Sequence, residues 1–221
     1  MIVLRHVRIF LSSPSDVNDE RNLARRVVQA QLPVDPSLRG KVSFDIVSHD
    51  DPAASIPMPA NQTPQDAISR GLPKPSQCDF LVMVLWSRLG TPLPAEYRKP
   101  NGERYYSGTE WEFEDASNAD NPPEILIYHR SEEVILTMND PEREEKIKQW
   151  EDLKKFLGQF KNPDGSLSGS VKQYASPSEF AEVLSSTLAV RALRLEHCGG
   201  LSRVDPEGGL RCDAIESLVE R

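Results

Sequence analysis

Three glutamates stand at alternate positions in the segment 107–116, which reads SGTEWEFEDA. A helix turns by about 100° per residue, so Glu112 falls beside the apolar face of this segment, whereas Glu110 and Glu114 fall on the opposite face. We therefore expect Glu110 and Glu114 to be solvated and Glu112 to point toward the interior. A half-buried carboxylate beside a cleft can stabilise or attack an oxocarbenium-like centre, which is how glycosidic bonds are broken. The other role open to Glu112 is structural, as a partner of Arg88.

Two predicted helix starts and one arginine could bind an anion. Ser13, followed by Pro14 and Asp16, predicts a helix start, and a second helix begins near Thr109. A helix N-terminus exposes free N–H groups and carries about half a positive charge, although plain helix capping would also explain Ser13 and Thr109. Arg88 follows a buried strand, where its guanidinium can grip a phosphate with two hydrogen bonds.

Short apolar runs separated by helical segments must position these side chains. The predicted strands are 6–12, 42–47, 79–86, 124–128 and 171–174. The predicted helices are 13–32, 63–72, one beginning near 109, 142–160 and 176–195. Because strand and helix alternate five times, we predict a flavodoxin-like, five-stranded parallel sheet with helices on both faces. The third strand is almost wholly apolar and therefore central.

Ligands of such sheets bind outside the carboxyl ends of the strands, where the strand order reverses. The loops at that edge, together with a proline-rich loop at 48–64 and the helix near 109, supply the candidate site. Glu112 is the catalytic candidate. The substrate-binding candidates are Ser12, Ser13, Asp16, Asp50, Trp86, Ser87, Arg88, Gly90, Thr109 and Trp111.

Composition indicates one domain in a chain of 221 residues, at 1–195, followed by a glycine-rich linker or the start of a further region at 196–221. The net charge of -8 opposes binding to a nucleic-acid backbone. The chain has no apolar run long enough for a membrane helix and no signal peptide, which favours a cytoplasmic protein without membrane contact. Three scattered cysteines and four scattered histidines indicate reduced thiols and no metal site.

Several of these residues also belong to short motifs that resemble those of a known family. They are the runs 9–16 (IFLSSPSD), 20–21, 78–79 and 107–116, together with Trp86. They resemble the TIR-like domain of unknown function family 4062, closely over about 7–116 and more loosely to 195. The resemblance implies homotypic TIR-like contacts. It also implies a downstream signalling NTPase of the NACHT or STAND type, or a repeat array, as partner in a longer protein.

The wider TIR group and the related nucleoside deoxyribosyltransferases place a functional glutamate on the helix after the third strand. The pattern Gly108-Thr109, Trp111-Glu112 and Ala116 is similar to the deoxyribosyltransferase motif, whose glutamate matches Glu112. The resemblance implies an effector in signalling, innate immunity or anti-phage defence. Such an effector would cleave the N-glycosidic bond of NAD or a related nucleotide, with NAD as substrate and no cofactor. Two alternatives stay open: a non-catalytic interaction and oligomerisation module, and a nucleotide sensor that does not cut its ligand.

Overall fold

The computed structural model describes residues 4–48, 73–161 and 171–198. The predicted helix 63–72, most of the proline-rich loop and Asp50 lie outside these ranges. Five strands form one sheet in the order β2-β1-β3-β4-β5, with every neighbouring pair parallel. They are β1 (Arg5–Ser12), β2 (Val42–Val47), β3 (Phe80–Leu85), β4 (Glu124–Arg130) and β5 (Val171–Tyr174). The predicted α/β flavodoxin-like arrangement is confirmed.

Apolar composition decides which strand is central. Every residue of β3 is buried, and β3 pairs with β1 on one side and β4 on the other. The chain runs from β1 outward to β2 and then returns to β3 on the opposite side of β1. The strand order therefore reverses between β1 and β3, which is where ligands of this kind of sheet bind.

Within the described ranges, four α-helices flank the sheet. They are α1 (Asn18–Arg26), α2 (Gly108–Ser117), α3 (Arg143–Gly158) and α4 (Pro177–Cys198). The end of α1 continues into a π-helical stretch, Val27–Gln31, and a 3₁₀ turn, Leu32–Val34, and another 3₁₀ turn, Pro75–Gln77, precedes β3. In the part of the chain that the structure describes, no helix is long and apolar enough to cross a membrane.

The predicted start of the first helix at Ser13 is wrong. The helix begins at Asn18, without a side-chain cap. Arg21 explains the difference, because its guanidinium reaches back and donates to the carbonyl oxygens of Ser13 (3.1 Å) and Pro14 (2.7 Å). Its Nε also donates to Ser13 Oγ at 3.0 Å. These bonds hold the residues after β1 as an irregular turn rather than as the first turn of a helix.

Side-chain alternation divides the core into two layers. Ile9 and Leu11 of β1 pack in the layer that contains residues of α1 and α4. Phe10 packs in the other layer, together with Ala116 of α2 and Leu153 of α3. Since successive strand side chains point to opposite faces, Ser12 shares the α2/α3 face with Phe10.

Candidate functional site

Glu112 and Ser12 form a buried pair at the carboxyl end of β1. The Ser12 hydroxyl donates to Glu112 Oε2 at 2.5 Å. Glu112 is 1% exposed and Ser12 is fully buried. The inward orientation predicted for Glu112 is confirmed, and the hydrogen bond ties α2 to the strand end beside the β1/β3 switch point.

The prediction that Glu110 is solvated is wrong, because this residue is 5% exposed. Its Oε1 lies 2.6 Å from Lys99 Nζ, and its Oε2 accepts from the backbone N–H of Tyr106 at 2.5 Å. Glu114 also lies 2.8 Å from Lys99 Nζ. The long connection between β3 and α2 folds back over the helix, so the face opposite Glu112 meets protein rather than water.

The enclosed position of Lys99 changes the pKa of its ammonium group. Burial lowers the pKa of its ammonium, but the hydrogen bonds to Glu110 and Glu114 outweigh that effect and leave the pKa above its ordinary value. A raised lysine pKa contributes stability up to the pKa of the unfolded chain, and the contribution is lost only as the pH rises through the folded pKa. The cluster of Lys99, Glu110 and Glu114 therefore holds the connection on α2 throughout the neutral range.

The cap of α2 is Ser107, not Thr109. Ser107 Oγ accepts from the N–H of Glu110 at 3.1 Å and donates to the carbonyl oxygen of Leu89 at 3.0 Å. The spacing of Ser107 and Glu110 fits the capping-box pattern, a signal from which this helix start could have been predicted. Thr109 is buried and contacts the loop that follows β3.

Gly90 allows that loop to pass close to the start of α2. Its φ is +123°, and a Cβ at this position would lie 3.0 Å from Thr109 Oγ1. Both the backbone conformation and the available space therefore require glycine here. Its role in the described structure is to bring the loop after β3 against α2.

Gly90→Ala is expected to reduce the free energy of unfolding by about 1–3 kcal/mol through backbone strain and the contact with Thr109. The matched control is Gly102→Ala, because Gly102 also has a positive φ, +85°, but no atom lies within 4 Å of a Cβ built there. Urea unfolding of both variants measures the difference. Equal losses would show that the contact with Thr109 contributes nothing.

Asp16 connects the loop after β1 to the loop after β3 across the switch point. Its Oδ2 accepts from the N–H of Ser87 at 2.9 Å and from Ser87 Oγ at 2.7 Å. Its Oδ1 is buried and has no hydrogen-bond partner. The carboxylate is thus held through one oxygen while the other lacks a donor.

Arg88 lies beside Asp16 and Ser87 at a pocket of about 140 Å³. Its Nη2 donates to Thr91 Oγ1 at 3.3 Å, and its Nε is buried without a hydrogen-bond partner. Apart from these three residues, the pocket is lined by Val134, Leu136, Lys146, Gln149 and Trp150. Glu112 is not among the residues that line it. Three of the predicted binding residues therefore line one pocket. Its other side is formed by residues of α3 and of the segment before α3, which were not predicted as site residues.

The other predicted site residues lie apart from this pocket. Trp86 stacks under the guanidinium of Arg130, 4.6 Å from the ring centroid, and packs against the α1/α4 layer. Trp111 packs in the α2/α3 layer. Ser13 is held by Arg21.

A buried charged group between α1, β4 and β5 was not predicted from the sequence. Glu20 is fully buried, and its Oε1 accepts from Tyr174 Oη at 3.1 Å and lies 3.3 Å from Arg130 Nη1. Burial, followed by the negative charge of Glu20, raises the pKa of Tyr174. The apolar pattern of α1 gave no sign of a buried carboxylate, because its partners come from strands more than a hundred residues away.

Cys78 agrees with the predicted reduced structural thiols. It is buried and free, and burial raises the pKa of its thiol to about 12. The thiolate is the reactive form, so Cys78 is a packing residue rather than a nucleophile at neutral pH.

Comparison with known proteins gives one family. The model of the family described as "Domain of unknown function (DUF4062)" matches residues 8–189. The match begins within β1 and ends within α4, so it includes the carboxyl end of β1, the other four strands and the candidate site. No curated protein matches the chain. The chain belongs to the DUF4062 family.

Proposed function

We propose that this chain is a TIR-like effector domain of a signalling or defence protein and cleaves the N-glycosidic bond of NAD or a related nucleotide. The observation that carries the proposal is the buried Glu112–Ser12 pair at the carboxyl end of β1. Parallel sheets bind ligands at this switch point. The pair also shares the α2/α3 face with residues of the pocket beside Asp16 and Arg88.

The proposed role of Glu112 is to stabilise, or to attack, the C1′ carbon of the ribose as the bond breaks. In NAD the electron pair of the C1′–N bond passes to the positively charged pyridine ring, which leaves as neutral nicotinamide. Water supplies the hydroxyl group that completes C1′ and releases one proton. A carboxylate aimed at the positive charge that develops on C1′ lowers the barrier electrostatically, and the Ser12 hydroxyl fixes its orientation.

Access to Glu112 is part of the proposal. A side chain that is 1% exposed touches a substrate only after its neighbours rearrange. Self-association of TIR-like domains is the event that we propose opens and completes the site. Activity should therefore rise with assembly rather than in proportion to the amount of protein.

The test is incubation of the protein with NAD over a range of protein concentrations, with nicotinamide measured by chromatography and assembly measured by sedimentation on the same samples. Nicotinamide release that appears with the assembled species supports the proposal. Assembled protein that releases none contradicts it.

A second candidate function is a non-catalytic interaction module of a STAND-type signalling protein. Two large apolar side chains before α3 favour it, because Ile135 is 83% exposed and Met138 is 78% exposed. Exposed apolar residues close together in sequence are typical of protein contacts. This function predicts concentration-dependent oligomers without turnover, and a monomer at every concentration would contradict it.

A further inference from the structure

The pocket beside Asp16 and Arg88 has two polar groups that the protein leaves unsatisfied. Asp16 and Arg88 line the pocket, while Asp16 Oδ1 and Arg88 Nε are buried from water and have no hydrogen-bond partner. A ligand in the pocket therefore reaches these two atoms when the side chains of Asp16 and Arg88 turn toward it. Burying a polar atom without a partner is unfavourable, so a ligand that supplies the missing partner recovers part of that cost. The carboxylate lacks a donor and the guanidinium lacks an acceptor. The complementary ligand therefore carries both a donor and an acceptor.

The remaining walls fit a flat ring. Trp150 contributes an indole ring, which also has the ammonium of Lys154 5.6 Å from its centroid, and Val134 and Leu136 add apolar surface. The charges of Asp16 and Arg88 offset each other, and the ammonium of Lys146 is already held 2.7 Å from Asp140 Oδ2. An uncharged aromatic ring suits these walls better than a phosphate, which would meet the carboxylate of Asp16.

The size of the pocket limits the ligand to one ring system. A volume of about 140 Å³ is below the roughly 300–1,000 Å³ of sites that enclose a drug-sized molecule. It therefore admits one part of a dinucleotide and leaves the rest outside, along the strand ends.

We infer that this pocket binds the base of a nucleotide, a planar heterocycle whose edge donates one hydrogen bond to Asp16 and accepts one from Arg88, with Trp150 against the ring. An adenine edge, with its amino group beside a ring nitrogen, has this pattern. The inference deepens the proposed function, on which it rests for the identity of the substrate class. It assigns recognition of the base in part to Trp150 of α3, a helix that was not part of the predicted site.

The test is equilibrium binding of AMP and of ribose 5-phosphate to the full chain carrying Glu112→Gln, measured by calorimetry. AMP should bind at least about tenfold more tightly than ribose 5-phosphate, because only AMP carries the ring. Binding of the two with equal affinity would overturn the inference.

Two variants locate the base. In Asp16→Asn the amide oxygen can keep both hydrogen bonds from Ser87, while the amide NH2 group replaces the oxygen that would accept from the base. Two donors then face each other, so AMP should bind on the order of tenfold more weakly. Trp150→Leu removes the ring contact and should have a similar effect. Glu151→Gln, an exposed neighbour on α3, should bind as the parent does. Thermal unfolding identifies which variants remain folded, and folded Asp16→Asn and Trp150→Leu proteins with the parent affinity for AMP would overturn the inference.

Failure of this inference can be told from failure of the proposed cleavage. AMP binding that depends on Asp16 and Trp150, in a wild-type protein that does not cleave NAD, would overturn cleavage and support the base pocket. Cleavage of NAD with an unchanged KM in Asp16→Asn and Trp150→Leu would support cleavage and overturn the base pocket.

Discussion

Glu112→Gln is expected to slow nicotinamide release from NAD by at least about 100-fold, the cost of removing one preorganised electrostatic group from an active site. Glutamine keeps the shape of the side chain and can still accept the hydrogen bond from Ser12, but it lacks the negative charge that opposes the positive charge on C1′. Initial rates of the assembled wild-type and variant proteins measure the effect.

The matched control for this prediction is Glu114→Gln on the same helix. Glu114 contacts Lys99 on the side of α2 that the connection from β3 covers, away from Ser12. The exchange of a carboxylate for an amide is the same, so this variant should retain the wild-type rate. Equal rates for Glu112→Gln and the wild type would remove Glu112 from the chemistry.

Arg130→Met is expected to reduce the free energy of unfolding by about 3–5 kcal/mol, the usual cost of leaving a buried charge uncompensated. Glu20 is fully buried, and Arg130 is the cation beside it, with 17% of its side chain exposed. The variant also loses the contact between Arg130 and the Trp86 ring. Chemical unfolding monitored by circular dichroism measures the loss.

A double-mutant cycle separates these two contributions. Glu20→Gln removes the buried charge, so the double variant Glu20→Gln/Arg130→Met should be more stable than Arg130→Met alone. If the second substitution recovers nothing, the loss came from the other contacts of Arg130, with the Trp86 ring and the Glu132 carboxylate, and not from the charge of Glu20.

The sheet could be predicted because its signals are local. The run 42–47 matches β2, since the alternation of apolar and polar side chains in VSFDIV contains the whole signal for a strand, and the run 171–174 matches β5. The central place of β3 followed from its composition, because a strand buried on both faces has no polar side chain to expose.

Contacts distant in sequence account for the errors. The prediction of a helix start near Ser13 failed because Arg21 donates to backbone carbonyl oxygens that would accept the first hydrogen bonds of such a helix. The prediction that Glu110 is exposed failed because helical periodicity only separates the two faces of α2. It does not reveal that the connection carrying Lys99 covers the face opposite Glu112.

The candidate site was predictable on one side only. Asp16, Ser87 and Arg88 lie in the loops that follow β1 and β3, so the rule that ligands bind at strand ends selects them together. Trp150 belongs to an amphipathic helix whose pattern indicates burial against the core. Its place beside Arg88 depends on how α3 packs across the sheet, which the local sequence does not contain.

The most direct test of the central claim is a crystal structure of the Glu112→Gln variant with NAD bound. We expect C1′ of the nicotinamide ribose about 3–3.5 Å from the side chain at position 112, the separation of reacting atoms in a productive complex. NAD bound with C1′ out of contact with that side chain would contradict the account.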